Sequence, residues 1–129
     1  DRMLAMEGNT APYLMYAHAR CRSILRKAEA EGYQPGPVTF SHAAERALAI
    51  SLLRSPELIE AAAHAWRPNL LAEHLFQITS NFGTFYRECH VLQADSEILI
   101  RSRLQLVAST ANALKIGLEL LGLTALERM

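Results

Sequence analysis

The sequence has 129 residues, half of them hydrophobic, and equal numbers of basic and acidic side chains give a formal net charge of zero at pH 7. This length suits one domain with a hydrophobic core of its own. The neutral charge excludes the strongly basic surface typical of many nucleic-acid-binding proteins, so an RNA site would have to be a local cluster. Eleven of the 13 basic residues are arginines, whose planar guanidinium suits phosphate and base stacking.

A first helix is predicted over residues 11–31. Asn9 or Thr10 can accept hydrogen bonds from the free amides at its start, and Pro12 suits its first turn. Gly32 ends the helix, and a loop rich in proline and glycine follows.

Two shorter helices are predicted next. Ser41 is the expected N-cap of a helix over residues 42–54. Ser55 and Pro56 then close that helix and open another, which runs to about Trp66.

Two long helices complete the predicted bundle. Apolar residues recur at steps of three and four over residues 69–90, which predicts a helix central to the core. Its buried stripe comprises Leu71, Leu75, Ile78, Phe82, either Phe85 or Tyr86, and Cys89. Asp95 or Ser96 caps a last apolar helix, which ends near Leu121 before Gly122.

The predicted fold class is all-α, an antiparallel helical bundle of about five helices that forms one domain over residues 1–129. Cys21 and Cys89 lack CxxC spacing and are expected to be reduced and buried, as in a cytoplasmic protein. No apolar run approaches the ~18 residues of a membrane span, and the start has no signal-peptide pattern, so no membrane association is expected. Because the chain starts at Asp1 rather than Met, we expect it to be part of a longer protein.

The first helix carries a rim of aromatic and basic side chains. At 100° per residue, its core-facing arc contains Leu14, Ala17, Cys21, Ile24, Leu25 and Ala28. The adjoining arc contains Tyr13, Tyr16, Arg20 and Lys27, where a partner can reach them. Unpaired bases stack on tyrosine rings, and guanidinium groups stack or hold phosphate, so this rim suits RNA. The pattern alone also fits a plain surface, with the tyrosine hydroxyls in water and Arg20 paired with an acid.

Two other basic pairs leave the same choice open. Arg22 and Arg26 lie on the opposite side of the first helix, where we expect a solvated face, with phosphate contact as the alternative. Arg101 and Arg103, at the start of the last helix, have the same two interpretations.

Patterns typical of catalysis or metal binding are missing from the sequence. The five histidines are scattered over separate predicted helices, with no HExxH or other multi-ligand spacing. Cys89 and His90 are neighbours on a predicted helix and would point about 100° apart, which is awkward for a nucleophile pair. No glycine-rich phosphate loop, GxSxG turn or paired-carboxylate motif is present. The domain is therefore predicted to be noncatalytic, with no metal and no cofactor of its own.

Five tracts of the sequence carry a family resemblance. They are Gly8–Arg20, Phe82–Leu92, Arg101–Leu104, Gly117–Leu123 and the terminal Glu127–Met129. Together they resemble the anticodon-binding domain of arginyl-tRNA synthetases over nearly the whole chain, least over residues 33–66. The opening tract combined with a terminal Glu-Arg-Met favours this family over related class I synthetases or other synthetase subunits.

The resemblance implies both a fold and a function. The fold is the anticodon-binding helical bundle of class I synthetases, with residues 1–9 as the junction to a catalytic domain that lies outside this chain. The function is to hold the anticodon loop of arginine-accepting tRNA, with special attention to the middle anticodon base. A separate Rossmann-type domain of the parent arginine–tRNA ligase would use ATP with magnesium to charge the tRNA in the cytoplasm. We expect a monomer whose partners are tRNA and that catalytic domain.

Carried over position by position, the family's anticodon pocket falls on Tyr13, Tyr16, Arg20, Tyr86 and Met129. The tyrosines would offer stacking faces or hydroxyls, and Arg20 a cation for a base edge or a phosphate. Met129 would give an apolar contact.

Three further positions bear on the same resemblance. Asn9 and Pro12 would fix the start of the first helix facing the catalytic domain. Met15 departs from the family, which often has Gln there, so a polar contact from this position is in doubt. Because residue 15 points away from the tyrosines, we expect little effect on the pocket.

The alternative function, from another class, is a helical protein–protein module whose tyrosine rim docks a partner helix.

Overall fold

The computed structural model describes residues 11–65 and 67–122, and all regular structure in that part of the chain is helical. The helices are α1 (Ala11–Ala30), α2 (Ala43–Leu53), α3 (Ser55–His64), α4 (Pro68–Glu88) and α5 (Glu97–Leu120). The predicted all-α fold is confirmed. Only Arg54 separates α2 from α3, and its backbone stays helical at φ −82° and ψ −10°. These two helices therefore form one bent unit, so the described bundle counts as four elements or as five.

Most helix ends follow the local sequence signals. Gly32 and Gly122 end α1 and α5 with φ angles of +88° and +81°, a conformation that glycine adopts without strain. The Ser96 hydroxyl caps α5 by accepting from the Leu99 amide at 3.2 Å. The predicted cap of α1 at Asn9 or Thr10 and the predicted end at Trp66 lie outside the described residues.

Two predicted ends are wrong by one or two residues. The N-cap of α2 is His42 rather than Ser41, because His42 Nδ1 accepts from the Ala44 amide at 2.9 Å. The α4 helix ends at Glu88 rather than near residue 90, because Cys89 is extended at φ −121° and ψ 117°. Cys89 and His90 therefore do not share a helix.

The core consists of two packed clusters at the two ends of the bundle. The first joins α1, α2, α4 and α5 through Cys21, Leu48, Phe82, Phe85 and Leu104. The second joins the start of α1 to the end of α5 through Leu14, Leu71, Leu75, Leu114 and Leu118. The stripe predicted on α4 is buried as expected, and the choice that periodicity left open is resolved, because Phe85 is buried and Tyr86 is exposed.

A buried ion pair ties α2 to α5. Arg103 Nε lies 2.6 Å from Glu45 Oε2, and Arg103 Nη1 donates to the His90 carbonyl at 2.7 Å. Burial raises the pKa of Glu45, but the hydrogen bonds and charge of Arg103, with the amides of Ser41 and His42, outweigh burial and lower it overall. Arg103 thus belongs to neither of the two predicted alternatives, since it is neither solvated nor free for phosphate.

The irregular segment 33–41 is fixed by hydrogen bonds to α5. The Gly36 amide donates to the Arg101 carbonyl at 2.9 Å, and Arg101 Nε donates to the Gln34 carbonyl at 3.2 Å. The Ser102 hydroxyl accepts from the Thr39 amide at 2.8 Å and donates to the Thr39 carbonyl at 3.0 Å. These bonds hold the connection between α1 and α2 against the last helix.

Both cysteines are buried free thiols, as predicted. Burial raises the pKa of Cys21 and of Cys89, which makes both thiols poor nucleophiles. In the described part of the chain, no helix combines the length and apolar character needed to cross a bilayer.

Candidate nucleic-acid interface

A groove of about 570 Å³ lies between α1 and α4. We call it the α1–α4 groove. The α1 side is lined by Tyr13, Tyr16, Ala17, Ala19, Arg20 and Ser23. The α4 side is lined by Thr79, Phe82, Gly83, Tyr86 and Arg87. Nearly all of these residues are spaced three or four apart, which places them along one face of each helix.

The depth of the groove comes from the sizes of its side chains. Small residues form its floor, where Ala17, Ala19 and Thr79 are buried and Gly83 has no side chain. Large residues form its rim, where Tyr13, Tyr16 and Tyr86 are 41%, 58% and 41% exposed. The groove therefore presents aromatic rings to solvent above a narrow floor.

Arg20 links the two walls. Its guanidinium carbon lies 4.5 Å from the centre of the Tyr86 ring, a distance typical of a cation–π contact. Tyr86 in turn lies near Phe82, with ring centres 6.1 Å apart. Arg20 was expected either to bind RNA or to pair with an acid, and in the described residues its contact is with a ring. One face of Tyr86 is thus covered by a cation rather than open.

The structure brings together four of the five residues assigned to the pocket. Tyr13, Tyr16, Arg20 and Tyr86 all line the α1–α4 groove, although the last is far from the others in sequence. The assignment of Met129 lies outside the described residues. Lys27 is exposed near the end of α1 and does not line the groove.

Two residues of this surface were missed by the sequence-based prediction. Phe76 of α4 is exposed and lies beside Tyr13, with ring centres 5.3 Å apart. Arg87 adds a second guanidinium to the rim. Hydrophobic periodicity does not identify an exposed aromatic residue, and it does not show which helix lies next to α4. The resemblance placed Arg87 in a matching tract without giving it a role.

The remaining basic residues lie elsewhere. Arg22 and Arg26 are half-buried rather than fully solvated, and with Tyr33 and Gln34 they line a cavity of about 250 Å³. Arg101 is exposed and holds the Gln34 carbonyl. Neither pair contributes to the α1–α4 groove.

A second groove, of about 460 Å³, lies between α2, α3 and α5. Its lining includes the exposed apolar side chains Val38, Phe40, Leu53 and Ile116, and none of its described lining residues is charged. Within residues 11–65 and 67–122, no three His, Cys, Asp or Glu side chains are placed to hold a metal ion together. Among the three cavities described, the α1–α4 groove is the one in which several exposed tyrosines meet guanidinium groups.

Comparison with protein families gives one match that spans nearly the whole chain. Residues 14–129 match the DALR anticodon binding domain.

Curated proteins with similar sequences are arginine–tRNA ligases. Those of Chloroflexus aurantiacus and Chloroflexus aggregans are each 46% identical over 132 residues, and that of Marinomonas sp. is 43% identical over 130 residues. Each alignment covers 100% of this chain but only 22–23% of the relative. The chain therefore spans less than a quarter of the length of these relatives.

Solved structures give the same picture. The arginyl-tRNA synthetase of Thermus thermophilus superposes with a TM-score of 0.83 and 38% identity, covering 99% of this chain and 22% of that one. A putative arginyl-tRNA synthetase from Campylobacter jejuni superposes with a TM-score of 0.78 over 94% of this chain and 27% of that one. At 23% identity, the second likeness shows the fold alone.

Proposed function

The chain belongs to the DALR anticodon-binding domain family, and on that premise we propose that it binds the anticodon loop of arginine-accepting tRNA in the α1–α4 groove. The observation that carries the proposal is a groove lined by exposed tyrosines from two helices and by Arg20, whose guanidinium lies on the Tyr86 ring. Family membership supplies the class of ligand, and the groove supplies the surface.

Stacking is the main contribution that this groove offers. A base that stacks on an aromatic ring gains ~1–3 kcal/mol, and the ring of Tyr16 and the part of Tyr13 not packed on Phe76 are exposed to such contact. Arg20 already covers one face of Tyr86, so a base on that side stacks on the guanidinium, or displaces it to reach the ring. Either arrangement suits an unpaired loop base better than a base inside a duplex.

Charge supports the same proposal despite the neutral sequence. Arg20 and Arg87 both line the groove, and none of its described lining residues is acidic. The groove is therefore locally basic, and RNA binding to it is expected to weaken as salt rises.

The proposal extends to the parent protein. We assign the chain to a longer cytoplasmic arginine–tRNA ligase, in which a separate domain uses ATP with magnesium to charge the tRNA. In that arrangement this domain positions the tRNA and contributes no catalytic residue or cofactor. Met129 remains assigned to an apolar contact in the pocket, and the protein is proposed to act as a monomer.

Truncation of Tyr86 tests the proposal directly. In Tyr86→Ala, loss of the ring that holds Arg20 should weaken binding of an arginine anticodon hairpin by ~5- to 100-fold, as measured by fluorescence anisotropy. Tyr86→Phe keeps the ring and should bind like the unaltered chain. Tyr33 lies outside the groove, so Tyr33→Ala provides the matched ring truncation and should leave hairpin binding unchanged.

The RNA itself supplies the decisive comparison. A hairpin with a changed middle anticodon base should bind less tightly to the unaltered chain. Equal binding of both hairpins would remove the proposed reading of the anticodon. Capture of a protein that survives nuclease treatment and competes with the hairpin would favour the protein–protein module instead.

A further inference from the structure

Two buried threonines in the helices differ in the hydrogen bonding of their hydroxyls. Thr110 of α5 is fully buried, and its hydroxyl donates to the Leu106 carbonyl at 2.8 Å, one turn earlier. Thr79 of α4 is 2% exposed, yet its Oγ1 has no hydrogen-bond partner among the described residues. A helical threonine commonly bonds the preceding turn, as Thr110 does, so the unpartnered Thr79 hydroxyl needs an explanation.

The position of Thr79 supplies that explanation. Thr79 lines the floor of the α1–α4 groove, one helical turn before Gly83. A Cβ built at Gly83 would have one neighbour within 4 Å, Arg87 Nη1 at 3.5 Å, so the floor is open beside Gly83, whereas Thr79 Oγ1 itself is closed to solvent. The rings and guanidinium groups stand above this floor. A flat group inserted between the rim residues would reach this floor edge first, and rotation of the Thr79 side chain about χ1 would bring its hydroxyl to that edge.

We propose that Thr79 is a specificity-determining residue, whose hydroxyl pairs with the polar edge of one unpaired base in the α1–α4 groove. This inference rests on the proposed function, because it takes that groove to be the RNA site. A hydroxyl both donates and accepts, so it pairs with either kind of polar atom on a base edge. Phosphate is the less suitable ligand at this depth, because the cations that would neutralise it are at the rim.

In the free protein the Thr79 hydroxyl is buried without a hydrogen bond, which is unfavourable. In the complex the same hydroxyl would gain a hydrogen bond to the base. Removal of that hydroxyl from the free protein should cost nothing, because no hydrogen bond is lost. Its removal from the complex should leave a polar atom of the base without a partner. The stability of the free chain and its affinity for RNA should therefore respond in opposite ways to the same substitution.

The substitution Thr79→Val tests this with little change in shape. We expect a urea midpoint equal to or above that of the unaltered chain, and binding of the arginine anticodon hairpin that is ~3- to 10-fold weaker. Thr110→Val is the matched control, because it removes a bonded hydroxyl outside the groove. It should lower the urea midpoint and leave RNA affinity unchanged. Thr79→Ser keeps the hydroxyl and should bind within about twofold of the unaltered chain.

Discrimination is the second measurement. For the unaltered chain, affinity should fall when a single loop base is replaced by an abasic site. At the one position whose base contacts Thr79, the same replacement should cost less affinity in Thr79→Val than in the unaltered chain. Normal hairpin affinity in Thr79→Val would overturn the role of Thr79 and leave the proposed function standing. So would a loss of stability like that of Thr110→Val, or equal losses of affinity in the Ser and Val variants. Failure of the unaltered chain to bind the hairpin would overturn the proposed function, and this inference with it.

Discussion

The contact between α2 and α5 and the α1–α4 groove each contain an arginine that reaches from one helix to another, in opposite environments. Arg103 is 8% exposed and pairs with the buried carboxylate of Glu45. Arg20 is exposed and lies on the ring of Tyr86. The first charge is neutralised within the fold, whereas the second is displayed at the surface. A formal net charge of zero therefore does not exclude a basic site, because the sum counts buried, paired charges and exposed charges in the same way.

Removal of the buried charge of Arg103 should have the largest effect on stability. Arg103→Met leaves the Glu45 carboxylate buried without its cation, so the free energy of unfolding should fall by about 3–5 kcal/mol in urea denaturation. Arg101→Met, two residues away, removes an exposed arginine with one hydrogen bond to Gln34, and should cost no more than about 1.5 kcal/mol. Equal losses in the two variants would contradict the structural role of the pair.

A double substitution shows how much of that loss is the isolated charge. Glu45→Leu combined with Arg103→Met removes both charges, so part of the lost stability should return. Full recovery is not expected, because Glu45 also accepts hydrogen bonds from the Ser41 and His42 amides at the start of α2.

Gly83 and Gly117 both lie within helices, but one faces the open groove and the other the closed core. A Cβ at Gly117 would lie 2.4 Å from Leu75 Cδ2, so Gly117→Ala should lower the free energy of unfolding by about 1–3 kcal/mol. A Cβ at Gly83 meets Arg87 Nη1 at 3.5 Å, so Gly83→Ala should raise it by about 0.5–1 kcal/mol through better helix propensity. Thermal or urea denaturation measures both.

For Gly83→Ala, the effect on RNA binding should be opposite in sign to the effect on stability. The added methyl of Gly83→Ala enters the groove and should weaken hairpin binding while the protein becomes more stable. If Gly83→Ala were stabilised and bound RNA normally, the floor of the groove would not be part of the site.

Substitution of the exposed Arg20 is expected to change stability by no more than Gly83→Ala does. Arg20→Gln should change the free energy of unfolding by about 0.5–1 kcal/mol, the range of an exposed cation–π contact. The slope of log affinity against log salt for the hairpin should become shallower by about 0.7, if Arg20 neutralises one phosphate. The guanidinium carbon of Arg46 lies 5.1 Å from the centre of the Phe40 ring, outside the α1–α4 groove. Arg46→Gln is therefore the matched control, and it should leave the salt slope unchanged.

Local patterns in the sequence were enough to predict most of the fold. Periodicity gave the helices and the buried stripe of α4, and the glycines at 32 and 122 marked two helix ends. The pairing of Glu45 with Arg103 could not be predicted, because it joins residues far apart in sequence and depends on which helices are neighbours. The cap at His42 is local, since Glu45 three residues later accepts from the His42 amide, but histidine is not among the residues usually expected at an N-cap.

The candidate site divides in the same way. The α1 side, with Tyr13, Tyr16 and Arg20, follows from helical spacing, whereas Tyr86 came only from the family resemblance, since periodicity left it interchangeable with Phe85. The unpartnered hydroxyl of Thr79 has no signal in the sequence at all, because Thr110 is the same residue type in a similar helix and is bonded. Tertiary packing decides which of the two hydroxyls is left without a partner.

The hydrogen bonds between α5 and segment 33–41 bear on how the protein can be engineered. Proline and glycine content would mark this stretch as a place to insert a tag or a fused domain, as exposed loops generally are. Yet its Gly36 and Thr39 amides are bound to Arg101 and Ser102, so an insertion there would detach the connection from the last helix. The exposed turn at Gln93, between α4 and α5, is the better point for grafting a reporter.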